Sequence, residues 1–70
     1  MITLLVELER EDDGRWIAEI PELPGVMVYG STAAEAVARV QALGLRTLAD
    51  RVEHGEEVPA GVANLFAVPA

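Results

Sequence analysis

The sequence predicts an α+β domain in which one helix packs on a small sheet, with the element order β-β-β-α-β. Three observations carry this expectation. Residues 2–9 alternate between two faces as a strand does, and residues 14–30 compress a strand, a proline turn and a second strand. Residues 32–52 then open with a helix-capping pair and continue with an apolar stripe of helical period.

In the first strand Ile2, Leu4, Val6 and Leu8 share one face, and Thr3, Leu5, Glu7 and Glu9 share the other. The hairpin after it turns at Asp12, Asp13 and Gly14. A two-residue turn at Asp13 and Gly14 would set Glu7, Glu9 and Glu11 opposite Ile20, Ala18 and Trp16, placing carboxylates on the apolar face. A three-residue loop with Gly14 in the left-handed bulge position instead pairs Leu8 with Ala18 and Val6 with Ile20, which keeps that face apolar. Trp16 to Ile20 forms the second strand. Pro21 and Pro24 remove donors and fix φ, so the chain is expected to run extended through Glu22 and Leu23 to a turn at Gly25.

Val26 to Tyr29 is the third strand, and Gly30 leads to Thr32, an N-cap with Glu35 three positions on, the signature of a capping box. Ala36, Val37, Val40, Leu43, Gly44, Leu48 and Val52 then recur on one helical face, and Gly55 supplies the stop. Gly44 costs about 1 kcal/mol against alanine in mid-helix. Either a bulky neighbour such as Trp16 approaches closely there, or the glycine is a tolerated imperfection. Residues 62–68 have the length and apolar content of a final strand.

Composition narrows the function. Seventy residues suffice for one domain, and at that size only about 60% of the unfolded surface is buried, which favours assembly as a homodimer or higher homo-oligomer. Cysteine is absent, removing disulfides, thiolate catalysis and Cys-ligated zinc together. The N-terminus lacks a basic n-region and meets Glu7 after a short apolar stretch, so neither a signal peptide nor a membrane span is expected, and the expected location is cytoplasmic. Twelve acidic residues against five arginines give a net charge of −7. Arg10, Arg15, Arg39, Arg46 and Arg51 are scattered, so direct binding to nucleic acid is not expected. Such charge suits a basic protein partner, although it also serves simply to keep a small apolar domain soluble.

The motif Trp16, Ala18, Pro21, Leu23, Pro24 and Gly25, followed by Gly30, Thr32, Glu35 and Ala36 and continuing to Gly55, Glu56 and Pro59, resembles the N-terminal domain of the HicB antitoxin family. That resemblance implies a partial ribonuclease H-like fold with sheet order 3-2-1-4, the last strand parallel to the first, in keeping with a right-handed crossover. It also implies binding and neutralisation of a small basic HicA-type toxin that cleaves messenger RNA. Many relatives carry a C-terminal DNA-binding domain, for which residues 1–70 leave no room. The family usually has a larger apolar residue at the position of Gly44.

Chemistry is sparse. His54 follows Glu53, but adjacent helical residues point in different directions, and a histidine at a helix C-terminus more simply caps carbonyls. Glu7, Glu9 and Glu19 share a face of the hairpin, and two-metal nucleases of the ribonuclease H type hold their ions with acidic residues. Two-metal work requires ligands converging in a cleft, whereas glutamates alternating along a strand read more simply as a solvated sheet face, and the shortened fold implied by the resemblance is regarded as non-catalytic. No enzymatic activity, cofactor or metal site is therefore expected; a small carboxylate- or metal-dependent nuclease is the minor alternative. Trp16 and Phe66 are expected in the core. The candidate partner or oligomer interface is the mixed face of Leu5, Glu7, Glu9, Ile17, Glu19, Met27 and Tyr29. A solitary HicB-like module with some other protein partner is the main alternative function.

Overall fold

The computed structural model describes residues 2–69. Strands β1 (Glu7–Arg10), β2 (Trp16–Glu19) and β3 (Met27–Gly30) form an antiparallel sheet in the order β1-β2-β3, followed by one long helix, α1 (Ala33–Glu53). This is the expected α+β arrangement as far as β-β-β-α. Leu8 pairs with Ala18, as the three-residue loop requires. The loop has the bulged form: Gly14 N–H donates to the Glu11 carbonyl at 2.9 Å, Glu11 N–H donates to the Arg15 carbonyl at 2.7 Å, and Gly14 takes φ +90°.

Regular pairing of β1 begins only at Glu7, although residues 2–6 keep the alternating burial of an extended strand. The Glu11–Arg15 bond sets the parity of the ladder, so odd-numbered residues of β1 bond to β2. The next such pair below Glu7 and Glu19 would be Leu5 and Pro21. Pro21 has no N–H to give, and the ladder ends there.

The proline segment differs from its expected extended form. Leu23 N–H donates to the Ile20 carbonyl at 2.9 Å and Val26 N–H to the Leu23 carbonyl at 3.0 Å, making two consecutive turns with Pro21 and Pro24 each in the second position. Gly25 at φ +88° completes the second as a type II turn. The double turn aims Leu23 inward, where it is wholly buried. The core consists of Ala18, Ile20, Leu23, Val26, Ala36 and Val40, with Trp16, Val28, Leu43 and Leu48 packed around it.

Thr32 caps α1 as expected: its hydroxyl accepts from Glu35 N–H at 3.0 Å. The reciprocal bond is shifted by one residue, since the Glu35 carboxylate accepts from Ser31 N–H at 3.2 Å and not from Thr32. At the other end Gly55 N–H donates to Val52 and Glu56 N–H to Arg51, with Gly55 at φ +66°, a complete Schellman stop. The helix packs on β2 and β3. Gly44 does mark a close approach, but to Ile20 and not to Trp16: a Cβ there would lie 2.8 Å from Ile20 Cδ1.

A helix of 21 residues is about 31 Å long, whereas a strand of four residues spans roughly 13 Å. Half of α1 therefore overhangs the sheet, and Val52, expected on the buried stripe, is exposed.

The final strand expected over residues 62–68 is not formed. Val62, Asn64, Leu65 and Phe66 each donate to the carbonyl three residues back, and Ala63–Leu65 is a turn of 3-10 helix. Ala63 and Asn64 are poor strand formers, Gly61 at φ +95° redirects the chain, and burial of Val62 anchors the turn. Among the described residues the sheet is consequently antiparallel throughout, without a parallel fourth strand, and Phe66, expected in the core, is 74% exposed. Among the described residues no helix is long and apolar enough to cross a membrane.

Candidate functional site

The sheet has one face under α1 and one face without a helix. Register places Glu7, Glu19 and Met27 in one row across the strands and Glu9, Ile17 and Tyr29 in the next. All six belong to the helix-free face, because even-numbered Ala18 and Val28 carry the side packed on α1. Leu5 extends the same side of the β1 limb and is 61% exposed, and Met27 and Tyr29 are also exposed. All seven residues expected at an interface are therefore brought to one side of the sheet.

Glu7 and Glu19 are directly opposite each other in a bonded pair, and Glu9 is diagonal to Glu19. Like charges in this relation repel. Arg15, not singled out by sequence pattern, belongs to this surface too: its guanidinium lies 4.4 Å from the centre of the Tyr29 ring. It is already engaged by Asp13, with Nε 2.7 Å from Oδ2. Hydrogen bonds from the Arg15 backbone N–H and then its side chain hold the Asp13 carboxyl below its usual 3.8. The glutamates beyond this pair have no cation among the described residues. The face is thus an apolar strip of Leu5, Ile17, Met27 and Tyr29 beside an unneutralised acidic one.

Arg39 was likewise not apparent from sequence. It projects from α1 to the open side of β3, donating from Nη1 to the Tyr29 carbonyl at 3.0 Å while its Nη2 meets Glu35 at 3.2 Å. Only the three-dimensional proximity of the first helical turn to β3 reveals it.

His54 caps the helix, as expected: its Nδ1 lies 2.7 Å from the Asp50 carbonyl oxygen and 3.3 Å from Asp50 Oδ1. Two open cavities of about 360 Å³ each lie elsewhere. One has a mixed lining of Glu22, Arg51, Glu57, Val58 and Pro59; the other is an apolar cleft between the overhanging half of α1 and the 3-10 turn, with Leu48, Val62 and Phe66 in its walls. Among the described residues no three His, Cys, Asp or Glu side chains converge as metal ligands would.

No family model, curated protein or solved structure matches this chain.

Proposed function

We propose that this chain is a HicB-like protein-interaction module whose helix-free sheet face receives a small basic protein, an antitoxin neutralising a toxin of the HicA type. The observation that supports this most directly is the repulsive Glu7–Glu19 pair, with Glu9 diagonal to it, set beside exposed Leu5, Met27 and Tyr29 and half-buried Ile17. A cationic partner relieves that repulsion while the apolar strip supplies contact area, and the overall charge of −7 steers the encounter. The motif from Trp16 to Ala36 supports the same reading, since its proline turns and helix cap serve to hold the sheet rather than to perform chemistry. In this proposal the chain is not an enzyme, and its glutamates are recognition charges.

The test is whether an adjacent reading frame encodes a short basic protein, followed by co-expression with it; a neighbour of unrelated type counts against the antitoxin assignment. The expected result is rescue of growth and a stable complex. Charge reversal of Glu7, Glu9 and Glu19 together should slow association roughly 10-fold or more at low salt and much less at high salt, because screening shortens the field to about 10 Å at 0.1 M. Reversal of the hairpin-tip residues Glu11, Asp12 and Asp13 should do less, since a loop presents charge at greater entropic cost. Failure of the wild-type chain to bind or rescue would remove the antitoxin assignment, leaving an interaction module for another protein. Metal-dependent nuclease activity lost on substitution of Glu7 or Glu19 would establish the enzymatic reading instead.

A further inference from the structure

The two edges of the sheet are unlike. Odd-numbered residues of β3 point their main-chain groups outward, and there Arg39 occupies the Tyr29 carbonyl. On β1 the outward groups are those of the even residues, Leu8 and Arg10 and, by the same alternation, Val6. Among the described residues no main-chain bond reaches this edge, because β2 lies on the other side. The helix leaves β1 uncovered, so Leu8, on the helix side, is 43% exposed. An open strand edge beside an exposed leucine is a template for another strand.

Residues 66–69 have the chemistry to fill it. Phe66 is already extended, at φ −126° and ψ 139°. Phe66 and Val68 are 74% and 92% exposed, so most of each side chain is free of its own chain, Phe66 only edging the cleft beside Leu48 and Val62. Residues 58–70 carry no charged side chain, and four residues match the length of each strand in the sheet. As an added strand, alternation would place Phe66 and Val68 on the helix side against Leu8 and Val6, and small Ala67 on the side of the glutamates. Their own chain does not deliver them to this edge: Gly61 lies against Ile2, with 3.4 Å from its would-be Cβ to Ile2 Cβ, and the 3-10 turn then diverts the backbone.

From this we infer that two copies of the chain exchange strands, residues 66–69 of each adding to the free edge of β1 of the other about a twofold axis. Direct β1-to-β1 pairing is disfavoured, because an antiparallel pair centred on Leu8 would set Glu7 of one copy opposite Glu9 of the other. Reciprocal exchange avoids that repulsion and buries Phe66 twice, each ring bringing some 150–250 Å². The interface uses the edge, so it is separate from the face proposed for the basic partner.

Sedimentation equilibrium of the full chain from about 1 to 300 μM should show a dimer, with protection of the Val6 and Leu8 amides from hydrogen exchange rising with concentration. The double variant Phe66→Asp/Val68→Asp, altering two exposed side chains, should keep the native circular dichroism, weaken dimerisation at least tenfold and leave both amides unprotected. Ile17→Glu, on the helix-free face, should leave the dimer intact. A monomer across the whole range overturns the inference. So does a dimer that tolerates the double variant, whether its edge amides are protected, meaning β1 pairs with β1, or it is broken by Ile17→Glu, meaning the copies meet through the sheet face.

Discussion

Replacing Gly30 by alanine should destabilise this domain far more than the same change at Gly44, and the reason lies in what the new Cβ would touch. Built on the native backbone, it lies 2.6 Å from the Ala36 amide nitrogen, 2.9 Å from Ala36 Cα and 3.0 Å from Ala36 Cβ. The first two atoms are main chain, so no rotamer change relieves the overlap and the start of α1 must retreat from β3 by most of an ångström. Overpacking of this kind costs about 1–3 kcal/mol. The retreat also strains the bonds from Ala36 N–H to the Thr32 carbonyl at 3.0 Å and from Glu35 N–H to the Thr32 hydroxyl at 3.0 Å, where loss of a cap costs about 1 kcal/mol more. Relief of glycine's backbone entropy returns roughly 0.5–1 kcal/mol. The net is about 1–3.5 kcal/mol, or a fall in Tm of some 4–28 °C for a domain of this size. Gly44→Ala is the control: its Cβ meets two side-chain methyls, Ile20 Cδ1 at 2.8 Å and Leu23 Cδ1 at an ordinary 3.8 Å, and the helix gains about 1 kcal/mol of propensity, so its net effect should be within about 1 kcal/mol of zero. Urea unfolding at one fixed protein concentration measures both, with a lower midpoint and unchanged slope expected for Gly30→Ala. A Gly30→Ala midpoint equal to wild type, or one above that of Gly44→Ala, would refute the close approach of helix and strand from which this magnitude comes.

Three further outcomes follow from single sites. Thr32→Ala should cost about 1 kcal/mol of stability with no loss of partner binding; binding lost at unchanged stability would move Thr32 from scaffold to interface. Asp13, whose carboxyl is held low by Arg15, should titrate below the ordinary aspartate value of 3.8 by NMR. Because its folded pKa lies below its unfolded one, its contribution is fully present above about pH 4 and fades as the pH falls through the folded value; Arg15→Ala keeps the backbone N–H bond and removes the side-chain one, so it should return the titration part of the way toward 3.8, and an unmoved titration would show that the guanidinium contributes nothing. The isolated protein should give no salt-sensitive shift of duplex DNA or RNA near physiological ionic strength, since its five arginines are outnumbered by twelve carboxylates; sub-micromolar binding that weakens steeply with salt would show a basic surface built only on assembly.

Much of the fold was legible because local rules and burial agreed. The parity argument at Asp12, Asp13 and Gly14 identified the hairpin register from the requirement that Ala18 face inward, and Thr32 with Glu35 marked the helix start to the residue. The same parity gathered Leu5, Glu7, Glu9, Ile17, Glu19, Met27 and Tyr29 on one side. Where pattern failed, the cause was a bond that no pattern encodes. Pro21 and Pro24 read as extended because each fixes φ, but ψ was free, and the hydrogen bonds closing each turn, with Leu23 buried between them, decided it. Residues 62–68 are apolar enough for a strand, yet consecutive three-residue bonds offer Ala63 and Asn64 a local alternative needing no sheet partner. Arg15 and Arg39 were invisible as site residues because their roles depend on neighbours 14 and 10 positions distant in sequence, respectively, across the sheet and from helix to strand.

The geometry of a sheet separates the proposed partner face from the proposed dimer edge. Side chains leave a strand perpendicular to the sheet, whereas main-chain donors and acceptors lie in its plane, so a partner on the helix-free face and a strand on the β1 edge approach from directions at right angles. Occupying the edge would also change the face. Two sheets joined through exchanged strands would bring two sets of Glu7, Glu9 and Glu19 onto one assembly, strengthening the negative field that a partner meets at low salt. If both proposals hold, the basic partner should associate faster with the dimer than with the Phe66→Asp/Val68→Asp monomer at low salt, even though neither substitution lies on the face and both add negative charge to the chain. Stopped-flow association at matched binding-site concentrations measures this, and an association rate that follows net charge per chain alone would show that the edge and the face act without reference to each other.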